Sequence, residues 1–420
     1  MLILREISFI FNSSYICPYT NTDHILKTFF LVAILSLMTY SGYTQQAYDK
    51  DILPGAAQTA EYLPLLAGKR VALVINQTSE VNKVSLLDKL LDKGVAVKKI
   101  FVPEHGFRGN EDAGAHIANG TDSATGLPVI SLYGNNKKPK KEQLEDIDVL
   151  IYDLQDVGVR FYTYISTLEY CMEACAENGK RLMILDRPNP NGDYVDGPVL
   201  ETAHRSFVGM QPVPVIYGMT AGEYAQMLAG EKWLAGADKP DMVVIRCSKY
   251  THRSHYELPV APSPNLRSME AIYAYASLCL FEGTPISMGR GTDKPFRQYG
   301  CPEFEGKYQY SFTPMSGPGA KKPPYENKPC FGELVAQDVA QTRKNIDHQL
   351  QLKWLINAYK NYPEKSKFFT PFFTKLTGTT LLEQQVKKGE SEKSIRKSWA
   401  KGIKAFKKTR KKYLLYPDFE

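Results

Sequence analysis

Three side chains that can do acid–base or anion-binding chemistry fall within five residues of one another. Glu104, His105 and Arg108 follow the apolar run 97–102, which predicts a buried strand. Glycines bound the loop on which they lie. In α/β enzymes such loops at strand ends commonly carry catalytic and binding residues. The alternative is a surface loop with solvated charges, and this segment alone does not decide between the two.

Four further apolar runs predict strands that also end in polar side chains. They cover residues 70–76, 127–133, 148–154 and 181–186. The polar residues at or just after their ends are Asn76, Tyr133, Asp153, Gln155 and Asp186. Because the carboxyl ends of parallel strands meet at one edge of a sheet, we expect these side chains to lie near Glu104. The pattern therefore predicts an active or binding site at that edge.

Helical segments alternate with these strands. Helices are predicted at 84–91, 164–178 and 221–228, and two more strands at 213–217 and 241–246. This alternation is typical of the α/β class with a Rossmann-like, doubly wound parallel sheet.

A proline-rich segment near residues 259–264 suggests a domain boundary. We expect a Rossmann-like catalytic domain at 47–262. A smaller α+β domain at 263–420 is expected to close the cleft, since helices are predicted over most of 332–362 and 381–412.

The first 46 residues predict a leader rather than part of the fold. Lys27 precedes an apolar stretch, 28–38, that is too short to span a bilayer comfortably, and small and polar residues follow at 41–46. We expect a cleaved signal peptide, a secreted and periplasmic protein, and no stable membrane anchor after cleavage. The alternative is a membrane anchor.

The amino-acid composition and the charge pattern limit the classes of binding partner that the chain is expected to have. With 43% apolar and 23% charged residues, the chain can bury a sizeable core. Most of the net charge of +7 comes from residues 387–412, a run typical of a solvated helix face. No basic segment is interleaved with aromatic residues, so no nucleic-acid partner is expected. The cysteines outside the leader lack zinc-ligand spacing and are expected to be buried free thiols.

No cofactor motif is present. The turn after the first strand is Asn76-Gln-Thr-Ser79, which lacks the glycines of a dinucleotide site. There is no phosphate-binding glycine loop and no Gly-x-Ser-x-Gly elbow. Seven scattered histidines favour no metal site. We therefore expect no cofactor and no metal.

With no cofactor or metal expected, carboxylates and arginines are the side chains that could carry out the chemistry at the predicted edge of the sheet. Glycoside hydrolysis needs a pair of carboxyl groups, and Glu104, Asp153 and Glu282 are the best-placed candidates. A guanidinium matches a carboxylate with two hydrogen bonds, so an anionic substrate group suits arginine. The candidate arginines are Arg108, Arg160 and Arg290. Tyr162 and Tyr164 offer sugar-binding rings, or else they pack in the core.

Several long segments resemble one family. They are 76–79, 102–109, 148–164, 185–190 and 282–296. Together they are similar to the bacterial exo-β-N-acetylmuramidases, glycosidases once grouped as a domain of unknown function. The resemblance implies a Rossmann-like domain, a smaller domain and a cleft between them. It also implies release of N-acetylmuramic acid from the non-reducing end of peptidoglycan fragments. The family's acid/base glutamate falls on Glu104, and no catalytic role is assigned at Met288.

Several alternatives remain open for the roles of the candidate site residues. Glu104 would protonate the glycosidic oxygen, and His105 would assist it, hold the sugar or serve the structure. The second catalytic group is Asp153, Glu282 or the N-acetyl oxygen of the substrate itself. The arginines would bind the lactyl carboxylate. Rival functions are a non-catalytic sugar-binding protein and a hydrolase of another anionic glycoside.

Overall fold

The computed structural model describes residues 48–104, 106–107, 119–236 and 239–420. Residues Tyr48–Glu420 form one compact unit. The predicted leader, His105 and Arg108 lie outside the described residues. Within the described ranges no helix is long and apolar enough to cross a membrane.

In the part of the chain that the structure describes, twelve strands form three sheets. Their bounds are β1 Arg70–Ile75, β2 Glu80–Val81, β3 Val84–Ser85, β4 Ala96–Val102, β5 Gly120–Thr121, β6 Pro128–Ser131, β7 Val149–Asp153, β8 Arg181–Leu185, β9 Met242–Ile245, β10 Gln298–Cys301, β11 Tyr310–Phe312 and β12 Cys330–Leu334. The large sheet has the order β5-β6-β4-β1-β7-β8-β9, parallel except for β5. A small antiparallel sheet has the order β10-β12-β11, and β2 pairs with β3.

Eleven α-helices are present in the described ranges. They are α1 Thr59–Tyr62, α2 Leu86–Asp92, α3 Lys141–Leu144, α4 Tyr164–Glu177, α5 Ala221–Gly230, α6 Met269–Leu278, α7 Val339–Ile346, α8 Lys353–Asn361, α9 Pro371–Thr377, α10 Leu381–Lys387 and α11 Glu392–Arg410. The α/β class with a smaller second domain is confirmed.

Both faces of the large sheet are covered. Along β1, Ala72 and Val74 pack into one hydrophobic core with α4, α5 and α6, while Val71, Leu73 and Ile75 pack into another with α2. Successive side chains of a strand point to opposite faces, so a strand buried on both sides is apolar throughout. This is why the continuous apolar run 70–75 forms a central strand.

Local signals explain where the helices begin. The Thr220 side chain accepts a hydrogen bond from the Glu223 backbone, and the Glu223 side chain accepts one from the Thr220 backbone. This capping box satisfies free N–H groups at the start of α5. The Ser268 side chain caps α6 in a similar way.

The prediction of a strand at 213–217 is wrong. That segment is buried, but it makes only single bridges, in which Ile216 pairs with Val159 and Asp196. Pro214 lies within the run, and proline cannot donate to a sheet ladder. The helical prediction at 332–362 is wrong in its first residues, because Gly332–Leu334 belongs to β12. The six cysteines of the described residues are buried free thiols, as predicted.

Candidate active site

Glu104 lies just beyond β4, at the carboxyl edge of the large sheet. Thr163, which precedes α4, donates a hydrogen bond from its hydroxyl to the Glu104 carboxylate at 2.9 Å. The hydroxyl of Tyr133, which follows β6, also hydrogen-bonds with Glu104. The Glu104 side chain is half-buried, so it is supported from behind and still reachable from solvent.

Two carboxylates that are far apart in the chain act on the hydroxyl of Tyr133. Burial raises the pKa of the Tyr133 hydroxyl, and the charge and hydrogen bond of Glu104 and the charge of Glu282 raise it further. Both carboxylates therefore act on the same hydroxyl group. The ring of Tyr133 also lies 6.1 Å from that of Phe207, centroid to centroid. The structure thus brings Glu104, Tyr133 and Glu282 into one neighbourhood.

Glu282 lies C-terminal to the proline-rich segment 259–264. It lies in the 3-10 helix Cys279–Gly283, directly after α6. Arg290 donates to its carboxylate at 2.6 Å, and the guanidinium lies 4.9 Å from the centre of the Phe296 ring. The Glu282 and Arg290 side chains are 24% and 18% exposed, so this ion pair is accessible to a ligand.

Asn76, Tyr162 and Tyr164 form a buried support under the edge. The Asn76 amide donates to the Tyr164 hydroxyl at 2.7 Å. The hydroxyls of Tyr162 and Tyr164 both donate to the carbonyl of Pro262, at 2.8 and 3.3 Å. These contacts hold the proline-rich segment against the sheet, and the two rings are at most 6% exposed. Such burial fits core packing rather than a sugar platform.

Asp153 and Gln155 lie at the same edge but point inward. Asp153 is fully buried, and Arg187 donates to both of its oxygens, the longer contact being 2.9 Å. The Gln155 amide donates to the carbonyls of Asp156 and Pro188, each at 2.8 Å. The Asp153 carboxylate and the Gln155 amide nitrogen are therefore both occupied by contacts within the fold.

Asp186 anchors the C-terminal segment. Its carboxylate accepts hydrogen bonds from the Tyr416 hydroxyl at 2.6 Å and from the Thr220 hydroxyl at 2.7 Å. Burial raises the pKa of Asp186 to about 6. These contacts fit a structural role.

Arg160 is fully buried, and among the described residues it forms no ion pair with a carboxylate. Its guanidinium donates to the carbonyls of Pro198, Val213 and Leu376 at 2.7–2.9 Å. Burial lowers its pKa. The side chain therefore joins the two halves of the molecule, and this geometry leaves Arg290 as the described candidate for an anionic substrate group.

Sequence reasoning assigned no role to three residues of this region. Thr163 lies between two predicted tyrosines, Arg187 lies inside a segment already quoted for the family resemblance, and Phe207 follows no recognisable motif. Only Thr163 and Arg187 lie in sequence segments that could have pointed to them. In the described ranges, no group of three or more His, Cys, Asp or Glu side chains could hold a metal ion.

Two family models match the chain. One, described as Exo-beta-N-acetylmuramidase NamZ, N-terminal, matches residues 71–270. The other, Exo-beta-N-acetylmuramidase NamZ, C-terminal, matches residues 273–416. The chain belongs to the exo-β-N-acetylmuramidase NamZ family. It is an enzyme, a glycoside hydrolase, and the family resemblance seen in the sequence is confirmed.

Individual relatives agree with this membership. The chain is similar to the peptidoglycan beta-N-acetylmuramidase NamZ of Bacillus subtilis (strain 168), with 37% identity over 374 residues, 85% of this chain and 89% of that protein. A DUF1343 family protein from Bacteroides fragilis has a TM-score of 0.81 and 46% identity, covering 88% of this chain and 100% of that one. A second one from Bacteroides fragilis has a TM-score of 0.74 and 28% identity, covering 87% and 99%.

Proposed function

We propose that this glycoside hydrolase releases N-acetylmuramic acid from the non-reducing end of peptidoglycan fragments, in cell-wall turnover and recycling. Glu104 acts as the general acid/base. The observation that carries the proposal is the half-buried Glu104 carboxylate at the edge of the sheet, bound by the Thr163 and Tyr133 hydroxyls. Family membership supports the substrate class.

The chemistry begins at the glycosidic oxygen. Glu104 donates a proton to the leaving oxygen as the bond to the anomeric carbon breaks, and afterwards accepts a proton from the attacking water. Two hydroxyl donors fix the orientation of the carboxyl group, which matters because proton transfer needs hydrogen-bond distance. Thr163 and Tyr133 are positioning residues in this scheme.

The second group is either Glu282 or the substrate's own N-acetyl oxygen. Glu282 is partly exposed and acts on the same tyrosine as Glu104. Asp153 is a weaker candidate, because Arg187 occupies both of its carboxylate oxygens in the interior. We keep Glu282 and the N-acetyl oxygen as the alternatives.

Arg290 is proposed to bind the lactyl carboxylate. It gives one terminal nitrogen to Glu282, and a guanidinium carries further donors that can form a two-pronged contact with a carboxylate. Arg108 and His105 keep the substrate-binding and supporting roles predicted from the sequence. A hydrolase of another anionic glycoside is the alternative, and it would use the same arginines.

Secretion is part of the proposal. It rests on the apolar stretch 28–38 and the small and polar residues that follow it. The expected location is the periplasm, and N-terminal sequencing of the protein recovered from that compartment would identify the cleavage site.

The decisive experiment measures turnover of a chromogenic N-acetylmuramic acid glycoside by the parent protein, Glu104→Gln and Glu282→Gln. The proposal expects Glu104→Gln to lose about 10²-fold or more in kcat, with an unchanged melting temperature. Glu282→Gln should lose a similar factor if Glu282 is the second group, and much less if the N-acetyl oxygen attacks. A fully active Glu104→Gln would contradict the proposal. Parallel assays with the N-acetylglucosamine glycoside test for the lactyl group.

A further inference from the structure

Helix α11 carries a row of lysines on one face. The row contains six lysines, and at 3.6 residues per turn their side chains fall within an arc of about 80° around the helix axis. At 1.5 Å per residue, the row is about 27 Å long. This lysine stripe consists of Lys393, Lys397, Lys401, Lys404, Lys408 and, at the C-cap, Lys411.

The stripe faces away from the protein. The buried residues of α11 include Ile395, Trp399 and Phe406, which lie on the opposite side of the helix and belong to the main hydrophobic core. Trp399 and Arg396 also hydrogen-bond with Asp196, at 3.1 and 2.6 Å. The helix is therefore held by one side, and its lysine side is exposed to solvent.

The charges of the stripe are not neutralised locally. All six side chains are exposed, and within the described part of the chain none makes an ion pair within 4 Å. The neighbouring cations differ, because Lys407 pairs with Glu420 and Lys412 pairs with Glu231. Glu392, at the first turn of the helix, pairs with Arg396 outside the arc. Six positive charges in a line, with no acid of α11 between them, form an extended cationic surface.

From this surface we infer that α11 docks an anionic cell-wall glycan, namely a peptidoglycan strand, which bears carboxylates on its stem peptides and on unsubstituted lactyl groups. The inference rests on the proposed function for its choice of polymer. Lysine ammonium groups are mobile point charges on flexible stems, which suits a line of carboxylates without fixed geometry. The stripe would hold the polymer while chain ends are processed at Glu104.

Two other polyanions fit less well. Nucleic-acid grooves combine cations with aromatic rings on which bases stack, but the aromatic residues of α11 are on its buried side. A membrane-surface helix inserts an apolar face into the lipid, and here that face is packed in the core. A glycan needs neither rings nor a free apolar face for electrostatic docking.

The test compares binding to purified, insoluble peptidoglycan sacculi at low salt. One variant carries Lys397→Gln, Lys401→Gln, Lys404→Gln and Lys408→Gln. The matched control carries the same change at four exposed lysines elsewhere, Lys69, Lys83, Lys322 and Lys328. We expect about tenfold weaker sacculus binding for the stripe variant and near-parent binding for the control. The difference should vanish at about 1 M salt, where screening acts within about 3 Å.

Turnover of the soluble chromogenic substrate serves as the second readout. It should be the same in all three proteins, because the stripe touches the polymer and not the scissile bond. Equal sacculus binding by the stripe and control variants would overturn the inference. Stripe-dependent binding to phosphatidylglycerol vesicles or to RNA that exceeds binding to sacculi would overturn the choice of partner. If the parent protein fails on the soluble substrate, the proposed function fails, while the binding comparison still tests the stripe.

Discussion

At the scale of single residues, two hydroxyl groups hold the candidate acid in place. Thr163 directly precedes α4, Tyr133 follows β6, and the two hydroxyls meet at Glu104. A hydrogen bond to a charged group contributes about 1.5–3 kcal/mol. Small donors beside the acid therefore matter for rate although they need not touch the substrate.

The change Thr163→Val keeps the size of the side chain but removes the hydroxyl donor. We expect kcat to fall about tenfold with little change in KM, because the carboxyl group loses a fixed orientation. Steady-state kinetics on the chromogenic glycoside measure both constants. Thr163→Ser restores the donor and should recover most of the rate; equal losses in the two variants would point to packing instead.

Glu169 gives a pH prediction. Its side chain is buried on α4, and burial raises its pKa from 4.5 to about 8. The folded state therefore binds more protons than the unfolded state between these values, so the free energy of unfolding decreases as pH rises through this window. Above pH 8 the buried Glu169 carboxyl group is ionised, and the loss in the free energy of unfolding is complete.

Replacing Glu169 with Gln removes that penalty. Melting temperatures at about pH 5 and about pH 9 should differ less in Glu169→Gln than in the parent protein, by a few degrees. Glu177→Gln, on the exposed side of the same helix, is the control and should follow the parent. A parallel pH response of the parent and Glu169→Gln would exclude Glu169 as the source.

At the scale of elements, the segment that carries Glu282 is set by its contact with α9. The backbone N–H of Thr370 donates to the carbonyl of Gly283 at 2.9 Å. A Cβ atom at Gly283 would lie 2.4 Å from the Cα atom of Phe373. Only glycine permits this close approach, so the position of Glu282 depends on a residue with no side chain.

Gly283→Ala should push the Glu282 segment away from α9. We expect a loss of about 1–3 kcal/mol in the free energy of unfolding and a lower kcat/KM. Chemical denaturation and the chromogenic assay measure the two effects. Gly317→Ala is the matched control, since a Cβ atom there would meet no atom within 4 Å. Unchanged stability of Gly283→Ala would contradict the tight contact.

At the scale of the whole molecule, Arg160 connects segments far apart in the chain. Its guanidinium binds carbonyls in the loops before α5 and at the end of α9. Three carbonyl oxygens depend on one buried cation. The interior position of Arg160 contrasts with the accessible position of Arg290, and the two arginines should therefore respond differently to the same change.

Arg160→Lys should lower the free energy of unfolding by about 3 kcal/mol, because an ammonium cannot reach three separated carbonyls. Its preference for the muramic over the glucosamine substrate should stay unchanged. Arg290→Lys should keep most of its stability. Its preference for the muramic over the glucosamine substrate should fall about tenfold, because the two-pronged contact with a carboxylate is lost. The ratio of kcat/KM values on the two glycosides measures it, and the reverse outcome would return the lactyl site to Arg160.

The sequence alone determined the succession of strands and helices along the chain and the loop that carries Glu104. Apolar runs such as 70–75 and 97–102 favour strands covered on both faces, and polar side chains at their ends then meet at one edge. The capping box of Thr220 and Glu223 also depends only on residues that are close together in the chain. These features depend on neighbours in the chain, which a single sequence displays.

Only the tertiary structure decided which of the polar side chains at that edge are available. Asp153 pairs with Arg187, 34 residues away, and Asp186 accepts a hydrogen bond from Tyr416, 230 residues away. Partners at such separations follow no periodicity, because they are set by how the strands and the C-terminal segment come together. Burial removes the hydration of a charged group, and a partner must compensate for that loss; this separates the structural carboxylates from the half-buried candidate at Glu104.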